Sequence, residues 1–139
     1  MKPKLLLRIA FGLLLFHLLG HTMGHFTWKD PHDPVLTDII NRMDTHKFEF
    51  MGTQQTIGEH HEGYSLMLGL TLIMGSIVTW IFSRKIESLP QLRDVILVVG
   101  IFLIVFGAVE AVYFFPLPGI TSILAGLFYI GAARITAKH

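Results

Sequence analysis

Apolar residues fall in four blocks along the chain, at about 5–20, 64–82, 95–115 and 117–133. Each approaches the roughly 20 helical residues that cross a ~30 Å hydrocarbon core. The pattern predicts an all-α fold, a four-transmembrane-helix bundle forming a single integral membrane domain over 1–139. The spans are expected at about 4–26, 58–83, 92–115 and 117–136, with an outer loop at 27–57.

The polar stretches carry their own local signals. Pro3 suits the start of the first helix, where its missing N–H is not needed. Asp33-Pro34 reads as an N-cap followed by proline at the first helical position. Leu36, Ile39, Ile40 and Met43 follow at helical spacing, predicting a short amphipathic outer helix over about 34–45. "HKFEFMGTQQT" reads as a linker. Thr56-x-x-Glu59 has the capping-box pattern, placing the start of the second long helix before its apolar part. "RKIESLPQLRD" reads as a turn around Pro90, and "FPLPG" as a tight outer turn. Small residues mark several faces: Gly20 and Gly24, then Ser65, Gly69 and Ser76, then Gly119, Ser122 and Gly126. Such faces let membrane helices approach closely.

Composition agrees with this pattern. Hydrophobic residues make up 52% and charged residues 15%, and mean hydropathy is +0.57. The net charge of +1 gives no sign of a nucleic-acid partner. The charges are segregated, however. Lys2, Lys4, Arg8, Arg84, Lys85, Arg93, Arg134 and Lys138 flank one side of the four-span arrangement. The other side has Lys29, Arg42 and Lys47 among Asp30, Asp33, Asp38, Asp44, Glu49, Glu59 and Glu62. The positive-inside rule then places both termini in the cytoplasm. Without an A-x-A-like site after it, the first block reads as a retained span rather than a cleaved signal. The absence of cysteine excludes disulfides, thiolate nucleophiles and thiolate metal sites.

The candidate chemistry lies in histidines and one glutamate. His17, His21 and His25 stand four apart on one helix face, in "HLLGHTMGH". From Lys4 they lie roughly 20, 26 and 32 Å along the helix axis. Glu110 lies about 25 Å from Arg93 by the same rise, so it shares a stratum with His17 and His21. A carboxylate in "GIFLIVFGAVEAVYFF" is expected to face the interior and to have a partner. A metal site would take His21, His25, His61 and Glu110, with His17 and Glu62 as supporting or proton partners. The ladder is too long for one ion to bind all three of its histidines. Nitrogen and carboxylate ligands suit zinc, iron or manganese. Haem b between His21 and His61 is a further option, and a His–Glu proton relay another. The competing reading is a packing seam, because Gly20 and Gly24 share the histidine face. His32, His46 and His139 are expected to be solvated. Phosphate-loop, dinucleotide and nucleophile-elbow motifs are missing from the sequence.

Gly20, His21, Thr22, Gly24 and His25, then Met43, Phe48, Met51 and Gly52, then Gly63, Tyr64 and Ser65 form a recurring combination. It resembles a group of small, uncharacterised bacterial four-helix membrane proteins, over about the first 80 residues. The chain departs from that pattern after Gly52, where "TQQT" stands in place of Arg-Ser. The resemblance implies a bacterial inner-membrane location and carries no activity. A looser similarity is to DoxX-like proteins and to the sterol-isomerase and sigma-2-like group. These imply redox partnership or a lipid-like or quinone-like ligand, for which Tyr64, Ser65, Tyr113 and Tyr129 would line a pocket. Expected partners are the lipid bilayer and a second copy of the chain or another membrane protein. A third class of function is non-catalytic assembly.

Overall fold

The computed structural model describes residues 2–89 and 91–136. Pro90, Lys138 and His139 lie outside the described residues. The elements run α1 (Pro3–Thr27), α2 (Pro34–Thr45), β1 (Lys47–Phe50), β2 (Thr53–Thr56), α3 (Ile57–Lys85), α4 (Leu92–Tyr113) and α5 (Pro116–Thr136). α1, α3, α4 and α5 are each long and apolar enough to cross a membrane. The chain thus has the make-up of a multi-pass integral membrane protein. It divides into two compact units, one of 1–20 with 72–139 and one of 21–71.

In the first unit, α4 and α5 form an antiparallel hairpin joined through Phe114 and Phe115. Its seam is built on glycine. Gly107 opposes Gly119, and Gly100 opposes Gly126. Added Cβ atoms at these four positions would lie 2.6–2.7 Å from a facing backbone oxygen at Gly107, Gly119 and Gly126, and 3.0 Å at Gly100. Both pairs repeat at seven residues, so one narrow stripe stays in contact over two turns on each helix. The first part of α1 buries Leu6, Leu7, Ala10, Leu14 and His17, a 3–4 spaced stripe. Phe11 packs on Trp80 of α3 with ring centroids 5.3 Å apart, and Arg8 lies over the same indole. Hydroxyl residues occupy the buried face of this part of α3. Ser76 donates to the Leu72 carbonyl and Ser83 to the Trp80 carbonyl. Thr79 donates to the Gly75 carbonyl. That uses its one proton, so its oxygen accepts from the Tyr129 hydroxyl of α5.

The second unit holds the end of α1, α2, a hairpin and the first part of α3. Asp33 caps α2 as its sequence requires, accepting from Val35 N at 2.7 Å and Leu36 N at 3.1 Å. α2 buries Ile40 and leaves Val35, Leu36 and Ile39 exposed. The segment expected as a linker is instead a β-hairpin, with Lys47 opposite Thr56 and Phe50 opposite Thr53. Its two-residue turn, Met51-Gly52, has positive φ at both positions, 50° and 83°, as a type I′ turn requires. The capping box at the start of α3 forms in both directions. Thr56 N donates to Glu59 Oε2 at 2.7 Å, and Glu59 N donates to Thr56 Oγ1 at 3.1 Å.

Candidate functional site: a buried His–Glu–Ser ring

Three helices of the first unit each place one polar side chain at a common point. α1 presents His17 as the last residue of its buried stripe. α4 presents Glu110, one turn beyond Gly107. α5 presents Ser122, one turn beyond Gly119. The close glycine contact brings the α4 and α5 backbones together, so a short serine side chain can reach the carboxylate. His17 Nε2 lies 3.1 Å from Glu110 Oε1. His17 Nδ1 lies 3.1 Å from Ser122 Oγ. Ser122 Oγ lies 2.7 Å from Glu110 Oε2. The three residues retain only 6%, 3% and 0% of their accessible surface. Among the described residues, no buried side-chain nitrogen or oxygen lacks a hydrogen-bond partner.

This closed triangle has a simple proton count. Each of its three links needs one proton. With Ser122 donating to Glu110 Oε2, the serine oxygen accepts from His17 Nδ1–H. The third proton then sits between His17 Nε2 and Glu110 Oε1, on either atom. In the opposite sense, Glu110 Oε2–H donates to Ser122, Ser122 donates to His17 Nδ1, and His17 Nε2–H donates to Glu110 Oε1. Both senses hold three protons and zero net charge. That is the balance a low-dielectric interior favours, because an unpaired charge there is expensive. A concerted shift of three protons, or of two where the third already sits on His17 Nε2, interconverts the two senses and leaves the ring neutral.

The other two histidines of the ladder lie in the second unit and meet small residues. His21 Nε2 donates to the Ser65 carbonyl at 2.8 Å and lies 3.4 Å from Ser65 Oγ. The His21 ring edge faces Gly69. His25 Nδ1 pairs with Ser65 Oγ at 2.9 Å. His61 packs against Trp28, with ring centroids 4.3 Å apart and the planes tilted by 44°. Glu62 binds Lys29 at 2.7 Å, and Lys29 also binds Asp44 at 2.8 Å. Asp44 in turn fills the space where a Cβ on Gly58 would project. These bonds, that to Asp44 first, raise the Lys29 pKa above its ordinary 10.5 against a small desolvation.

Of the expected set, His21 and His25 share Ser65, His61 lies against Trp28, and Glu110 bonds His17 and Ser122. Among the described residues, no three His, Cys, Asp or Glu side chains are grouped to hold a metal ion. His17, expected in a supporting role, is central to the ring. Ser122 carried a signal in the sequence only as a small residue on the α5 face. Of the tyrosines, Tyr129 is fully buried against Thr79, while Tyr64 and Tyr113 are exposed. Tyr64 borders an open groove of about 250 Å³ with Gln55, Glu59, His60, Gly63 and Met67. His32 and His46 are exposed. No family model, curated protein or solved structure matches the chain.

Proposed function

We propose that this chain is a four-span membrane protein with cytoplasmic termini, whose His17–Glu110–Ser122 ring passes protons within the bilayer. The observation that carries this reading is the closed triangle of three buried groups at hydrogen-bond distance from one another. The ring can accept a proton at one atom and release one at another while its own charge returns to zero. Intramembrane His and Glu side chains are a common basis for proton relays. In this reading His21 and His25 are a packing seam on Ser65 and Gly69 rather than metal ligands. The resemblance to small bacterial four-helix membrane proteins adds an architecture and no activity.

The test is proton flux in reconstituted vesicles carrying an internal pH dye, with the potential clamped by potassium and valinomycin. Vesicles with the wild-type chain should dissipate an imposed pH gradient faster than protein-free vesicles. Glu110→Gln keeps the side-chain shape and its hydrogen-bonding capacity but cannot cycle a proton, so its flux should fall to the protein-free rate. Wild-type flux equal to that of protein-free vesicles, with folded protein present, would overturn the proposal.

A further inference from the structure

We infer that the buried hydroxyls Ser76, Thr79, Tyr129 and Ser83 form a proton path from the His17–Glu110–Ser122 ring to the basic end of the first unit. This inference rests on the proposed proton-passing role of the ring. The ring sits close to the α4–α5 turn, with Glu110 three residues before the last residue of α4. From Ser122 to Thr136, the last residue of α5, is 14 residues, or about 21 Å of helix. A proton reaching the ring from that end needs carriers over this length.

The first unit supplies hydroxyls along that length. Tyr129 lies seven residues beyond Ser122 on α5, about 10 Å farther along the axis. Its hydroxyl meets Thr79 of α3, which fixes the level of α3 beside it. α3 runs toward the basic end, so Ser76 stands about 4.5 Å on the ring side of Thr79, and Ser83 about 6 Å on the other. All four residues are buried. Beyond Ser83 come Arg84 and Lys85. Among the described residues of this unit, the buried titratable groups are His17, Glu110 and Tyr129. The hydroxyl file therefore carries no competing fixed charge.

Each carrier works without changing its own proton count. For a proton moving from the ring, Tyr129 gives its proton to the Thr79 oxygen as it takes one from a water on the ring side, and Thr79 gives the proton it had held toward the Gly75 carbonyl to a water on the Ser83 side. Ser76 and Ser83 bond only their own helix carbonyls. One rotation of each hydroxyl turns that donor into the path. Successive levels lie about 4.5–6 Å apart along the axis, so the path requires a water between them, a normal hydrogen-bond intermediary.

The same vesicle assay separates this inference from the one beneath it. Tyr129→Phe keeps the ring and its packing and removes only the hydroxyl, and Thr79→Val is the matching change on α3. Each should slow wild-type flux at least about tenfold, equivalent to ~1.4 kcal/mol on the barrier. Thr121→Val, which removes a buried hydroxyl bonded to the Pro118 carbonyl and outside the file, should leave flux unchanged. If both Tyr129→Phe and Thr79→Val conduct like wild type while Glu110→Gln does not, the path is refuted and the ring stands. If wild type does not conduct, the ring reading itself fails. Circular dichroism and thermal unfolding in detergent identify a variant that loses flux by failing to fold, and the second variant then decides.

Discussion

Replacing Gly107 by alanine tests how the seam holds the ring together. The added methyl carbon would sit 2.6 Å from the Gly119 oxygen and 2.9 Å from the Ile123 nitrogen, where ordinary contact begins at 3.4 Å. Ile123 Cγ1 is also 2.9 Å away and could rotate, but the other two obstacles are backbone and cannot. The helices must separate by about 0.8 Å, the shortfall in that contact. Overpacking of this kind costs about 1–3 kcal/mol. The same displacement would stretch the 2.7 Å Ser122–Glu110 bond to roughly 3.5 Å, outside the normal O–H···O range. Loss of an interhelical hydrogen bond in a membrane adds about 0.6 kcal/mol, and at most ~1.7. The expected total is therefore about 2–5 kcal/mol. Reversible unfolding in bicelles, followed by a steric-trap or denaturant titration, measures it. Gly12→Ala is the control, because a Cβ there meets nothing within 4 Å. Gly107→Ala as stable as Gly12→Ala would refute the argument that this close approach sets the geometry of the ring.

Two further outcomes concern the second unit. Ser65→Ala removes the hydroxyl shared by His21 and His25 while leaving the carbonyl bond to His21. It should destabilise by about 0.6–1.7 kcal/mol, read by the same unfolding assay. On the seam reading, His21→Ala should likewise lower stability without changing the metal content found by elemental analysis. Lys29→Met should speed amide exchange at the end of α2 and the start of α3, which Lys29 ties together through Asp44 and Glu62. Its raised pKa fixes the sign of the pH effect. The contribution is complete below the ordinary value of 10.5 and is lost as pH rises through the higher folded value. Alkaline exchange of the wild type should therefore approach that of Lys29→Met, while the two differ at neutral pH.

Local signals were the most legible part of this chain. The Asp33-Pro34 start and the Thr56–Glu59 box each act within one turn, and both form hydrogen bond by hydrogen bond. The hairpin escaped because its strands are four residues long, too short for alternation to stand out. Its turn uses Met-Gly, and a non-glycine residue at φ 50° is an uncommon choice. For the ring, helix rise placed His17, His21 and Glu110 at one depth but could not say how the helices are rotated. That rotation is set by the α4–α5 glycine seam and by the α1 stripe. Extending the stripe of Leu7, Ala10 and Leu14 by one turn leads to His17, which was the available clue. Ser122 was visible only as a small residue, because a serine in a membrane helix reads equally as close packing or as a hydrogen-bond partner.

Solid-state NMR of the protein in bilayers, with ¹⁵N-histidine and ¹³C-glutamate labels, reads the His17–Glu110–Ser122 ring itself. A closed ring gives proton-mediated correlations from His17 Nε2 to the Glu110 carboxyl carbon, abolished in Glu110→Gln. It also predicts a change in the His17 Nδ1 signal in Ser122→Ala. A His17 ring with no correlation to Glu110, and an Nδ1 signal indifferent to Ser122, would contradict it.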